Sequence, residues 1–146
     1  MMNCYIIGVN DEGCRFIFHA LRENTSLHTL HLAGNNVTYV GSRYCSDALL
    51  YMNETLTCLN LDNNALGPDG CQYLAEILKR SETIAELYLS NNGILDDGAC
   101  HLAMALMINT SLKKLSLDHN DITKNGKEGL AQALSVNPNI HMLMKL

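Results

Sequence analysis

Six cysteines and six histidines are the residues of this 146-residue chain best suited to metal, redox or nucleophilic chemistry. Among the histidines, His28 and His31 stand three apart, a spacing that puts them on opposite sides of a strand. There is no HExxH, no paired CxxC and no phosphate-binding glycine loop. No metal and no cofactor is therefore expected. The even count of cysteines suits a disulfide framework. Four asparagines, Asn24, Asn36, Asn53 and Asn109, open N-x-[ST] triplets, each by itself a glycosylation acceptor. Three of the four carry a further order. NTSL at Asn24, NETL at Asn53 and NTSL at Asn109 are separated by 29 and then 56 residues, and 56 is twice 28.

A period of 20–50 residues decides a fold before any single motif does. From the leucine closing each triplet the chain reads LHTLHLAGNNV, LTCLNLDNNAL, IAELYLSNNGI and LKKLSLDHNDI, beginning at Leu27, Leu56, Ile84 and Leu112. IHMLMKL begins a further unit at Ile140. The alternation L-x-L predicts a short strand, and the pairs Ile17/Leu21, Cys45/Leu49, Leu74/Leu78, Leu102/Leu106 and Leu130/Leu134 predict one buried helix face per unit. Gly13, Gly41, Gly70, Gly98 and Gly126 precede those pairs and are expected to serve the strand-to-helix turns. Asp11, Asp69, Asp96 and Asp97 lie near helix starts and Arg22, Lys79 and Arg80 near ends, complementing the dipole. Pro68 suits a helix's first turn. The triplet asparagines recur where a helix ends, a place where asparagine tolerates the left-handed conformation.

One strand and one helix per unit must stack as a parallel sheet with helices on one side. Parallel strands lie about 4.8 Å apart, whereas packed helices need roughly 8–10 Å. The helices therefore take the outer circumference, and the sheet lines a concave face. Asn35, Asn64, Asn92 and Asn120 are expected to form an inward ladder that bonds backbone where each strand turns away.

Composition agrees with a folded chain: 47% of residues are hydrophobic and 17% charged. A net charge of −5 argues against a nucleic-acid or anionic-membrane partner. Apolar runs fall far short of the roughly 20 residues that span a bilayer. The start, MMNCYIIGVNDEG, lacks the basic region of a secretion signal.

The pattern resembles the ribonuclease-inhibitor-like class of leucine-rich repeats, whose consensus is LxxLxLxxNxIxxxGxxxLxxAL. GPDGCQYLAEIL, DDGACHLAMAL and KNGKEGLAQAL match its helical half, and the likeness runs from Val9 to Leu143. It implies an α/β solenoid of one domain, residues 1–146. A partial unit covers 1–26, full units cover 27–55, 56–83, 84–111 and 112–139, and a terminal strand covers 140–146. Relatives in this class include NOD-like receptors, the Ran GTPase-activating protein and tropomodulins.

In that register Cys14 and Cys71 occupy one small-residue position two helices apart, roughly 16–20 Å, beyond the reach of a disulfide. Cys45 takes a helix core leucine and Cys4 a strand leucine. These are core thiols, and they imply a reducing, cytoplasmic setting. Cys58 is expected on the concave face and Cys100 outside. His101 stands where neighbouring helices carry Tyr44 and Tyr73. Between the strand leucines, three columns face the concavity: Thr29, Cys58, Glu86, Lys114; His31, Asn60, Tyr88, Ser116; Ala33, Asp62, Ser90, Asp118. They hold no nucleophile–base–orienter set. Tyr88 with Glu86 and Lys114 has the residue types of a protein-binding hot spot. A non-enzymatic protein-interaction scaffold is the expectation. A Ran-type GTPase-activating protein and the repeat segment of a NOD-like sensor are the alternatives, although Arg15 and Arg43 read as outer-face residues. Ile7 stands where the first ladder asparagine belongs, Lys145 falls where other units have an inward leucine, and no polar cap closes either end. Self-association through the terminal repeats is expected.

Overall fold

The computed structural model describes residues 2–50 and 53–143, and Lys145 lies outside them. Six strands alternate with five helices: β1 Met2–Tyr5, α1 Asp11–Leu21, β2 Leu27–His31, α2 Tyr39–Leu49, β3 Cys58–Asn60, α3 Gly67–Arg80, β4 Glu86–Tyr88, α4 Leu95–Leu106, β5 Lys114–Ser116, α5 Lys124–Val136 and β6 His141–Leu143. The strands form one parallel sheet in chain order. Each helix packs on the next, so every unit touches only its neighbours.

The leucines that alternate along the strands, Leu30, Leu32, Leu59, Leu61, Leu87, Leu89, Leu115 and Leu117, are buried under the helix residues Phe18, Cys45, Leu74, Leu78, Leu102, Leu106 and Leu130. Each such leucine contributes roughly 1.5–3 kcal/mol by leaving water. Helix ends follow local chemistry. Asn10, Thr38 and Thr123 cap α1, α2 and α5 by accepting from Gly13, Val40 and Asn125 N–H. Pro68 sits in the first turn of α3. The helices α3 and α4 have no side-chain cap.

Three expectations are corrected. Gly13, Gly41, Gly70, Gly98 and Gly126 are not turn residues but lie in the first turn of each helix. A Cβ on Gly98 would come within 2.6 Å of Ile94 Cγ2 and 3.2 Å of Pro68 Cα, so the residue is small because two helices and a turn meet there. The left-handed turn glycines are others: Gly8, Gly34, Gly67 and Gly93.

Asn24 and Asn109 are not left-handed either, being absent from the described residues with positive φ. The amides of Asn53 and Asn109 instead stitch unit to unit. Asn53 Nδ2 donates to the carbonyls of Leu21 (2.8 Å) and Asn24 (2.9 Å), and its Oδ1 accepts from Leu56 N–H at 2.9 Å. Asn109 repeats this with Leu78 O (2.7 Å) and Leu112 N (2.7 Å). Asn137, whose triplet with Pro138 and Asn139 does not match N-x-[ST], donates to Leu106 O and Asn109 O. The third residue of the triplet joins in: Thr55 and Ser111 hydroxyls donate to Leu27 O and Ile84 O at 3.1 and 3.0 Å. The N-x-[ST] pattern at these places is a structural motif, with its asparagine spent on backbone.

The last strand departs from the repeat. A 28-residue step would set Met142 beside Lys114, but His141 pairs with Lys114 and Met142 with Leu115. Met142 thereby packs against the core in the line of the strand leucines.

The concave face as candidate functional site

Two rows of polar side chains hold the strand ends still, and the candidate surface lies between them. At the outgoing end, Asn64 Oδ1 accepts from Asn35 and Val37 N–H at 3.0 and 2.9 Å, and its Nδ2 donates to Leu32 and Leu61 carbonyls. Asn120 does the same for Asn92 and for Leu89 and Leu117. Asn35 reaches back to Ile6 O and Val9 N, which serves the first unit. Ile7 does not hold the asparagine's place as the 28-residue step expects, since Tyr5 pairs with His31 and Ile7 therefore falls level with Ala33. Asn92 donates to Leu61 O and Ser90 O, but its Oδ1 has no partner. The neighbouring turn differs: Ala65 N–H goes to Val37 O instead, in an isolated bridge of Thr38 with Ala65.

Between these rows, strand pairing aligns the three columns: Thr29, Cys58, Glu86, Lys114, then His31, Asn60, Tyr88, Ser116. Ala33, Asp62, Ser90 and Asp118 follow two residues further on. The columns are not equally open. Thr29 and Ser116 are 7% and 6% exposed, while the others are partly exposed.

The centre is a linked group. Tyr88 OH donates to Glu86 Oε2 at 2.5 Å, and Lys114 Nζ lies over the Tyr88 ring, 4.9 Å from its centroid. Partial burial and the Glu86 carboxylate raise the Tyr88 phenol, and the bond to Tyr88 raises Lys114. Both keep their protons at neutral pH, and the ring is braced from two sides before anything binds. Burial pushes the Cys58 thiol up to about 11, so it is no thiolate nucleophile here. Beside this group Ser90 and Ser116 hydroxyls share a bond of 2.6 Å, and Asp62 Oδ1 accepts from Ser90 N–H at 2.6 Å.

The first strand adds residues that sequence reading missed. Tyr5 stacks on His31 with centroids 4.1 Å apart and planes at 3°. Tyr5 and Ile7 are 72% and 89% exposed, an unusual state for side chains this large. Only their alternation with Ile6, which packs on the core, marked them as concave.

Elsewhere the candidates disperse. All six cysteines are free; Cys14, Cys45 and Cys71 are buried and Cys100 is exposed. Arg15 and Arg43 stand on α1 and α2, stacked over Phe16 and Tyr44. Among the described residues, no three His, Cys, Asp or Glu side chains gather as a metal would need. Among the described residues, no helix is long and apolar enough to cross a membrane.

Comparison with known proteins agrees with this geometry. A family model described as "Leucine Rich repeat" matches residues 23–41, 53–75 and 109–131. The chain is 34% identical over 73 residues to "NACHT, LRR and PYD domains-containing protein 13" of Homo sapiens, a stretch that covers 50% of this chain and 7% of that protein. Its fold is similar to that of "Leiomodin-1 Actin-Binding Site 2 (ABS2)", with TM-score 0.81 and 23% identity over 95% of this chain and 82% of that one. A second similar structure is a Caenorhabditis elegans tropomodulin C-terminal domain, with TM-score 0.72 and 19% identity over 94% and 84% of the two chains. Repeat sequence, parallel sheet and outer helices lead to one conclusion: the chain is a leucine-rich repeat protein.

Proposed function

We propose that this chain is a non-enzymatic scaffold that binds another protein through its concave face, in a reducing compartment. The observation that carries the reading is the braced group Glu86–Tyr88–Lys114 at the middle of the sheet. An aromatic held in place before binding loses little side-chain entropy on contact, which favours it as an anchor. Around it Cys58, Asn60, Asp62, Ser90 and Asp118 supply a polar rim, with His31 towards β1. The described surface offers no activated nucleophile, which favours binding over catalysis. Association between copies through the terminal repeats is part of the same reading, since β1 and β6 each pair on one side only.

A second reading has its own observation. The match to a NACHT- and LRR-containing protein favours a repeat segment of a NOD-like sensor, in which the same face would do the binding. Actin is the first partner to test, because the similar leiomodin structure is described as an actin-binding site. Tyr88→Ala should weaken a bound partner by about 2 kcal/mol or more, whereas Gln72→Ala and Glu128→Ala on the helices should leave it unchanged. Cosedimentation with actin, followed by affinity measurement on whichever partner binds, reads this out. Equal losses at Gln72 would place the binding surface on the helices and end the concave reading.

A further inference from the structure

The concave face is not uniform, and its asymmetry describes what it would hold. At the β1 end the outward residues are Tyr5 and Ile7, with Ala33 beside them where the later units carry Asp62, Ser90 and Asp118. The small alanine leaves a hollow of about 240 Å³ lined by Tyr5, Ile6, Ile7, His31, Ala33 and Asn60. Its walls are a stacked aromatic pair and two isoleucines, and its size suits one large side chain. From the hollow towards β5 the same column turns acidic, with Asp62 on the β3 side and Asp118 on the β5 side. Asp62 is held in position, since its Oδ1 takes Ser90 N–H and its own N–H goes to Asn60 Oδ1. The one cation in these columns, Lys114, is turned onto Tyr88.

We propose, resting on the concave-face reading above, that the bound partner is an extended segment with one large apolar side chain followed by two basic ones. The apolar group fills the hollow, and the cations face Asp62 and Asp118. Spacing follows from the sheet. Strands about 4.8 Å apart put Asp62 one step and Asp118 three steps, roughly 14 Å, beyond Ala33. A chain advancing about 3.3 Å per residue places the basic residues two and four positions after the anchor. Such a segment crosses the strands, so its recognition is by side chains and charge rather than by strand addition.

The test is an NMR titration of the full chain with the peptide acetyl-Phe-Gly-Arg-Gly-Arg-amide. Two controls replace Phe by Ala, or both Arg by Glu. Shifts should centre on Tyr5, Ile7, Ala33 and Asp62, and either control should bind about tenfold more weakly or worse. Ile7→Ser and Asp62→Asn should each weaken the parent peptide by about threefold or more. Ile7 is almost wholly exposed and asparagine can still accept from Ser90, so both variants keep the fold. No binding at millimolar peptide, equal binding of the glutamate control, or shifts confined to the helices would each overturn the assignment. Its failure is separable from that of the concave reading. If Tyr88→Ala weakens a protein partner while Ile7→Ser and Asp62→Asn do not, the face binds but a different segment occupies it.

Discussion

Among the described residues with left-handed backbone, Leu95 alone is aliphatic, with φ of 57°. One unit earlier the same place is held by Gly67, with φ of 63°. Left-handed backbone costs a residue with a side chain roughly 1–2 kcal/mol, and the Leu95 side chain is 47% exposed, so it recovers little by packing. Glycine loses up to about 1 kcal/mol through its freer unfolded state. Leu95→Gly should therefore stabilise the protein by about 0.5–1 kcal/mol, seen as a higher urea midpoint at unchanged slope. A lower midpoint would mean that Leu95 covers more than its exposure indicates. The thiols give a second check at this scale. Burial raises Cys14 and Cys71 to about 12 and holds Cys45 well above the ordinary thiol value. Exposed Cys100 should label first at pH 8, Cys58 slowly, and the three buried thiols only on unfolding. An intact mass unchanged by reductant should accompany this, and a Cys14–Cys71 bridge would contradict the register outright.

At the scale of strands, helices and turns, the amides of Asn53 and Asn109 do what the backbone cannot do for itself where a helix ends. Asn109→Ala would leave Leu78 O and Leu112 N buried without partners, at about 1–3 kcal/mol for each group. Calorimetry should show a loss of roughly 2–4 kcal/mol, against no more than about 1 kcal/mol for Asn36→Ala, whose exposed turn has a left-handed φ of 54°. A loss at Asn109 no greater than at Asn36 would show that the stitch carries no load. These bonds also explain what was legible beforehand. Unit length, strand, helix face and ladder all follow from the types of residues recurring every 28 or 29 positions, because packing demands the same side chain at the same place. Gly98 was legible as a recurring glycine but not as a close approach, since its neighbour Pro68 lies a whole unit away. Tyr5, Ile7 and the hollow were not legible, because they depart from the repeat and a pattern reports only what recurs. The slip of β6 escaped for a similar reason: Met142 is apolar in either register.

Across the whole molecule, each unit is held only by its neighbours, so the joints between units decide how it comes apart. Asp11 on α1 reaches the next unit's cap, accepting from Thr38 N–H at 2.8 Å and from its hydroxyl at 2.6 Å. Asp96 on α4 does the same to Thr123 at 2.7 and 2.5 Å. The intervening joints have Tyr39 and Pro68 in the aspartate's place and Leu66 and Ile94 as caps, so neither partner is there. The bond to the Thr123 hydroxyl, above all, holds the Asp96 carboxyl below its ordinary value of 3.8. A depressed carboxyl contributes stability that is complete above the unfolded value and is lost as pH falls through the folded one. The α4–α5 joint should accordingly loosen as pH falls below about 4, and Asp96→Asn should flatten that part of the stability curve. Amide exchange of α5 between pH 6 and pH 3 measures it; a curve identical in the variant would rule the carboxylate out. The two clasps stand at the outermost of the four joints between the described helices. Seen as a short row of dominoes, the array carries this latch at its two outer helix joints and lacks it at the two inner ones. Unlatching both ends with Asp11→Ala and Asp96→Ala should let α1 and α5 open independently while α3 and α4 stay closed, turning one melting transition into two.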